Sequence, residues 1–264
     1  MEKNTQLIQQ LRSQSIKAII FDFDGTLLDI KGAMEKAIEE TFNDNRIEAD
    51  MELTIQEIGE LLETLQGYPL PKIILHSYDL VKKITAFEKL TFIKKILIST
   101  QIFSKYLEYA KESPLFPGIE QLLKTLGKKC KCDLYIVSHS KKDNIVFHLE
   151  KNGIEKYFKG IFGTDEIPAL KPHPNALEPA IKNYPISINR NQFVMIGDMP
   201  SDIEAGQEAE FKTIGVASGI SNKEILAGLN PDLLVESINE LHGLITQDNT
   251  VSKPKSHNSL KIKS

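Results

Sequence analysis

The sequence has no tryptophan and only two cysteines, Cys130 and Cys132, in 264 residues. Two thiols are too few for a structural zinc site, which takes about four ligands. So close in sequence, they would close only a strained bridge, and they read as free thiols at the start of a strand. No apolar run approaches the roughly 18 residues that a membrane span needs. Met1 to Gln14 is polar and helix-favouring and lacks the apolar centre of a secretory signal; a cytoplasmic location is the expectation. Positive charge is not in excess either. Lys and Arg number 32 against 36 Asp and Glu, a net charge of −4, which argues against nucleic acid as a bulk partner. An anionic substrate would have to be drawn in locally rather than by the overall field.

What is present is ordinary for a globular protein: 41% apolar and 26% charged residues. The length suits one large domain, or a core carrying an insert. A short helix is expected over Asn4–Arg12, then a strand over Ala18–Phe21. From Lys31 to Ala110 glycines are few, and apolar residues recur at three and four positions: Leu61, Leu62 and Leu65, then Ile73, Ile74, Leu80, Val81 and Ile84, then Leu90, Ile93, Ile96 and Leu97. That spacing predicts about four amphipathic helices, with a turn at Gln66-Gly67-Tyr68-Pro69-Leu70-Pro71.

After Pro114 the rhythm alternates. Helices are expected at Gly118–Leu126, at Asp143–Lys151 with Asn152-Gly153 as its stop, after Pro174, at Ser201–Ala209 and at Ile238–Ile245. Strands are expected at Leu134–Val137, Gly160–Phe162, Phe193–Ile196, Thr213–Val216 and Pro231–Val235. Strands alternating with helices imply parallel βαβ units. The fold class is therefore α/β, a Rossmann-like parallel sheet with an inserted α-helical domain. The Lys- and Ser-rich stretch from Asp248 to Ser264 has no apolar periodicity and is expected to be disordered.

The first strand ends in two acids one residue apart, Phe21-Asp22-Phe23-Asp24-Gly25-Thr26. Buried carboxylates need a partner, and Mg²⁺, a hard cation held by carboxylates, waters and phosphate, fits them. Three further segments add to the pair. Leu134-Tyr135-Ile136-Val137-Ser138 ends a strand in a hydroxyl. Lys171-Pro172-His173-Pro174 fixes the backbone around a lysine. Phe193-Val194-Met195-Ile196-Gly197-Asp198-Met199-Pro200-Ser201-Asp202 is a second apolar strand ending in acids. In parallel α/β sheets ligands bind beyond the carboxyl ends of the strands, so Asp22, Ser138 and Asp198 are expected to share one site.

Together these four segments, in this order, resemble the haloacid dehalogenase (HAD) superfamily, in its phosphoglycolate phosphatase-like branch. The resemblance implies a Mg²⁺-dependent phosphatase that hydrolyses a small phosphorylated metabolite through an aspartyl-phosphate. Asp22 would be the nucleophile, and Asp24 the general acid and base, its backbone carbonyl a metal ligand. Relatives acting on halides or phosphonates lack that second aspartate, so Asp24 points to an oxygen ester. Ser138 and Thr26 would contact the phosphoryl group, as would Lys171, which also stabilises charge on Asp22. Asp22, Asp24, Asp198 and Asp202 would form the metal site, Asp202 either directly or in support. Asp29 reads as a local cap, His173 as structural, and His139 as a surface residue more than a substrate contact. The resemblance also divides the chain into a core of residues 1–30 and 111–247, a helical cap of 31–110 and a tail of 248–264. Gly67-Tyr68-Pro69 is then either a specificity loop or an ordinary turn. Two alternatives stay open: a phosphomutase of the β-phosphoglucomutase type, whose cap histidine is matched here by Met34, and a non-catalytic binding protein on the same fold.

Overall fold

Alternate residues of the first strand serve two different cores. In the computed structural model, which describes residues 2–65 and 84–247, Ile19 and Phe21 pack into one apolar cluster and Ala18 and Ile20 into another. That is the two-residue period of a strand covered on both faces. The strand, β1 (Ala18–Phe21), is wholly buried. Five more complete the sheet: β2 (Asp133–Val137), β3 (Phe158–Phe162), β4 (Phe193–Gly197), β5 (Lys212–Val216) and β6 (Leu233–Val235). Their order is β3-β2-β1-β4-β5-β6, and every pairing is parallel. Phe21 stands opposite Ile136 of β2 and Ile196 of β4, so the residues that follow all three strands emerge at one level. The chain runs from β1 to one side of the sheet and later returns to the other. β1 and β4 therefore flank the topological switch point, where such sheets bind ligands.

The larger cluster lies under helices at Glu2–Arg12 (α1), Ile119–Lys124, Lys142–Lys151 and Ile238–Thr246, through Leu7, Leu11, Leu122, Ile145 and Leu241. The opposite face takes Leu177, Ala180 and Ala205 from the segments around Glu178–Asn183 and Pro200–Glu208. There Phe193 stacks on Phe211 with ring centroids 4.9 Å apart, a pair worth about 0.5–1.5 kcal/mol beyond its buried area. The helix Lys142–Lys151 ends as its Asn-Gly pair predicts. Gly153 takes φ +65°, its N–H donates to Glu150 O at 2.9 Å and that of Ile154 to Leu149 O at 3.0 Å, the two bonds of a Schellman cap.

Between β1 and β2 the described residues form α2 (Lys31–Asn45), α3 (Met51–Leu65), a 3₁₀ turn at Thr85–Phe87, and α4 (Phe92–Ala110). Met34, Ala37, Ile38 and Phe42 of α2 join Ile98, Ile102 and Tyr106 of α4 in the apolar cluster that also holds Phe23 and Leu27. The segment leaves and rejoins the sheet-bearing part at one place. Asp29 N–H donates to Pro114 O at 2.8 Å, and Phe116 N–H to Leu27 O at 3.0 Å. Asp29 is the local turn residue expected, with Oδ1 accepting from Lys31 N at 3.3 Å. The expected turn at Gln66–Pro71, the apolar positions from Ile73 to Val81 and the tail of 248–264 lie outside the described residues.

The sequence pattern passes over one helix, Lys223–Gly228. It has six residues, of which only Leu226 is buried, too few for a period to show. Its readable signal is the Asn222 side chain, which accepts from Ile225 N as an N-cap. Cys130 and Cys132 are free and buried, and burial pushes the Cys132 thiol up to about 12. No helix among the described residues is long and apolar enough to cross a membrane.

Candidate active site

Asp22 leaves β1 still tied to the sheet, its N–H donating to Ile196 O at 2.9 Å. The residue is 6% exposed, and its Oδ1 accepts from Lys171 Nζ at 2.7 Å. The same ammonium donates to Asp202 Oδ1 at 2.5 Å. Lys171 is thus a buried bridge between two carboxylates that lie 180 residues apart. Asp202 sits in the first turn of the helix that follows β4, where its Oδ2 accepts from Met199 N at 3.0 Å. A carboxylate there caps orphan N–H groups and favours the helix dipole.

Asp198 follows β4 and is fully buried. Its Oδ1 accepts from Thr26 Oγ1 at 2.7 Å and its Oδ2 from Ile220 N at 2.8 Å. Two glycines make room for it. A Cβ on Gly25 would stand 2.3 Å from Asp198 Oδ2, and one on Gly219 only 2.1 Å. Gly25 also takes φ +83°, a conformation that side chains disfavour.

Asp22, Asp198 and Asp202 each offer an oxygen within 4.8 Å of the others. Among the described residues the ammonium of Lys171 faces three carboxylates, an excess of acidic groups that another cation would balance. Burial raises the Asp22 pKa well above the ordinary carboxylate value, with repulsion from Asp202 and Asp198 adding and Lys171 opposing. Asp198 is raised by burial first and then by Asp202, against the hydrogen bonds of Ile220 and Thr26. Hard oxygen donors, dense buried negative charge and backbone glycines in close contact suit a small divalent cation such as Mg²⁺.

Asp24 stands apart from this cluster. Its Oδ2 accepts from Ser140 Oγ at 2.5 Å, and burial raises its pKa against the pull of Ser140 and Lys171. Ser138 is 1% exposed and its Oγ accepts from Ser140 N at 3.0 Å, which leaves its own hydroxyl hydrogen to donate. Thr26, expected to contact phosphate, directs its hydroxyl hydrogen to Asp198 Oδ1.

Residues 19–216 match the family of haloacid dehalogenase-like hydrolases. The chain belongs to that family. It is a hydrolase by that membership, and the resemblance carried by the four motifs is borne out. A phosphoglycolate phosphatase of Vibrio parahaemolyticus is 27% identical over 236 residues, spanning 88% of this chain and 96% of the relative. The pyrophosphatase PpaX of Oceanobacillus iheyensis is 26% identical over 227 residues, spanning 86% and 95%. The crystal structure of a "predicted phosphoglycolate phosphatase" from Haemophilus somnus superposes with a TM-score of 0.65 at 23% identity, covering 88% of this chain and 98% of that one. The α/β fold class stands with it.

Several site residues escape the family motifs. His139 is 4% exposed rather than on the surface. Its Nε2 accepts from the backbone N–H of Lys171 at 2.9 Å, holding the lysine's main chain across 32 residues of sequence. Ser140 was legible only as a second hydroxyl two residues past Ser138. Gly219 and Ile220 lie on the loop after β5, where a Gly past a strand was the one available sign.

Proposed function

We propose that the protein is a Mg²⁺-dependent phosphatase that hydrolyses a small phosphorylated metabolite through an aspartyl-phosphate on Asp22. The observation that carries this is the buried ammonium of Lys171 bridging Asp22 and Asp202 beside Asp198. Asp22, Asp198 and Asp202, with the Asp24 backbone carbonyl, would hold the cation. When bound, Mg²⁺ supplies the charge neutralisation that lets a carboxylate meet a phosphate.

The chain's own residues do the rest. An Asp22 oxygen attacks phosphorus, and the bond from phosphorus to the ester oxygen breaks. Asp24 gives its proton to the leaving oxygen. Its raised pKa favours the protonated form at that moment, and since Ser140 occupies Oδ2, the mobile proton belongs on Oδ1. Asp24 then takes a proton from water, whose oxygen attacks phosphorus. Inorganic phosphate leaves, and Asp22 returns as a carboxylate. Lys171 holds Asp22 in place and offers positive charge to the phosphoryl oxygens, while Ser138 donates to them. The inserted segment of residues 31–110 acts as a cap that excludes water, over a core of 1–30 and 111–247.

The two curated relatives are named for different substrates, a phosphoglycolate and a pyrophosphate. Both are small and phosphorylated, which supports the class. A mutase of the β-phosphoglucomutase type is disfavoured by Met34, a side chain 1% exposed in the apolar cluster that has no proton to exchange with a sugar.

The test is phosphate release from a panel of small phosphate esters and diphosphates, with Mg²⁺, with EDTA, and with Asp22→Asn as the blank. Metal-dependent release that the variant loses is expected. Isomerisation of a sugar phosphate without release would transfer the assignment to the mutase.

A further inference from the structure

Ser140 lies just beyond β2, outside the four motifs, and is half-buried. Its Oγ donates to Asp24 Oδ2 at 2.5 Å across 116 residues of sequence, the length of a hydroxyl donating to a carboxylate. The main chain of Ser140 is held on both sides. Its N–H donates to Ser138 Oγ at 3.0 Å, and its carbonyl accepts from Thr164 N at 2.9 Å. The loop after β3 lies so close that a Cβ on Gly163 would stand 2.3 Å from Lys142 N and 2.8 Å from Ser140 O. From that loop Asp165 Oδ1 also accepts from Lys142 N at 3.0 Å. The hydroxyl is therefore presented to Asp24 by a braced loop.

The turn that carries Asp24 is held by its main chain, with Gly25 N–H donating to Leu28 O at 2.9 Å and Leu28 N–H to Phe23 O at 3.0 Å. That leaves the carboxyl to be oriented. The terminal torsion of an aspartate is broad and two-fold, so by itself it would present either oxygen to a reacting group. Among the described residues Ser140 is the side chain that hydrogen-bonds Asp24. A protonated carboxyl carries hydrogen on one oxygen and accepts through the other. A hydroxyl that donates to Oδ2 makes Oδ2 the acceptor and Oδ1 the proton carrier, and it opposes the rotation that would exchange them.

We propose that Ser140 is a positioning residue for the acid step, its hydroxyl fixing the Asp24 carboxyl so that Oδ1 hands its proton to the leaving oxygen of a phosphate ester. This rests on the phosphatase reading. As an Asp22 oxygen bonds to phosphorus, the bond from phosphorus to the ester oxygen breaks and its electron pair stays on the leaving oxygen. That oxygen takes the Oδ1 proton, and Asp24 is left as a carboxylate to which Ser140 still donates. Misplacing the acid costs most where the leaving oxygen most needs a proton. An alkoxide needs it far more than a nitrophenolate does.

The test uses the full chain with Mg²⁺ and p-nitrophenyl phosphate, benzyl phosphate and glycerol 3-phosphate. Values of kcat and KM are measured for wild type, Ser140→Ala and Ser140→Thr. The ratio kcat/KM covers the steps up to alcohol release, so hydrolysis of the aspartyl-phosphate, common to all the esters, does not enter it. Ser140→Ala should lower kcat/KM on the two alkyl esters about tenfold more than on the nitrophenyl ester. Ser140→Thr keeps the hydroxyl and should restore the wild-type ratio between esters. A loop that is merely loosened would lower every ester alike. An equal loss on all esters, no loss on any, a loss confined to KM, or a ratio that threonine does not restore would overturn the inference and leave the phosphatase reading standing. So would a wild type that releases phosphate from the nitrophenyl ester alone. Failure of the wild type to release phosphate from any ester would overturn both.

Discussion

Replacing Gly219 by alanine would put a methyl group inside the Asp198 carboxylate. The added Cβ would stand 2.1 Å from Oδ2, 2.3 Å from Cγ and 2.4 Å from Cβ of Asp198. Cβ contacts below 3.0 Å are essentially never found, so one partner must retreat by about 0.9 Å. Asp198 cannot withdraw freely. Thr26 and Ile220 hold its two oxygens, and Gly25 lies close as well, since a Cβ added there would stand 2.3 Å from Oδ2. The loop that carries Ile220 is then pushed out, or the carboxylate turns and loses a hydrogen bond. Displacing a catalytic group by about 1 Å costs on the order of 10²-fold in rate. Gly219→Ala should therefore lower kcat/KM by about a hundredfold and raise the Mg²⁺ concentration needed for half-maximal rate. The thermal midpoint should fall little, because the residue lies on a loop beyond the sheet. Gly228→Ala is the control, since nothing lies within 4 Å of its added Cβ. The assay is phosphate release across a Mg²⁺ titration. A Gly219→Ala enzyme with wild-type rate and wild-type Mg²⁺ response would refute the reasoning, because it would mean that the position of Asp198 does not matter to catalysis.

Two other outcomes follow from named contacts. Lys171→Ala leaves Asp22, Asp198 and Asp202 without their ammonium; kcat should drop by about 10²–10³ and stability in EDTA at neutral pH by about 3–5 kcal/mol, read by phosphate release and by urea denaturation. Near-wild-type kcat would displace the lysine from the mechanism. His148 is 1% exposed, packs against Phe23 and Phe147 and has its Nδ1 unpartnered among the described residues. Burial lowers its pKa, with Lys151 adding and Glu112 opposing. A depressed folded value means that the neutral ring supplies stability in full above the ordinary 6.5, and that this share is lost as pH falls through the folded value. The drop in thermal midpoint from pH 7.5 to 5.5 should be smaller in His148→Phe than in the wild type; an identical drop would show that this ring does not titrate with unfolding.

The acids that close β1 and β4 were legible because chemistry forces them into view. An apolar strand that ends in carboxylates is costly unless something binds them, and Asp22, Asp24, Asp198 and Asp202 stand out against Ile, Phe and Val. Lys171 stood out through its flanking prolines. His139 and Ser140 did not, since each is an ordinary polar residue after a strand, and their roles come from the distant Lys171 and Asp24 that they touch. Thr26 was legible as a hydroxyl near the acids, but its direction toward Asp198 was not.

The sequence by itself determined the alternation of strands and helices, the helical interruption after β1, and the residue types needed for phosphoryl chemistry. These depend on local periodicity and on the cost of burying charge, which are properties of short stretches of chain. Only the tertiary structure decided that β1 lies between β2 and β4, that one ammonium spans Asp22 and Asp202, and that Gly25 and Gly219, on the loops after β1 and β5, both lie close to Asp198. These are contacts between segments separated by tens to hundreds of residues, and close packing, not local pattern, selects them.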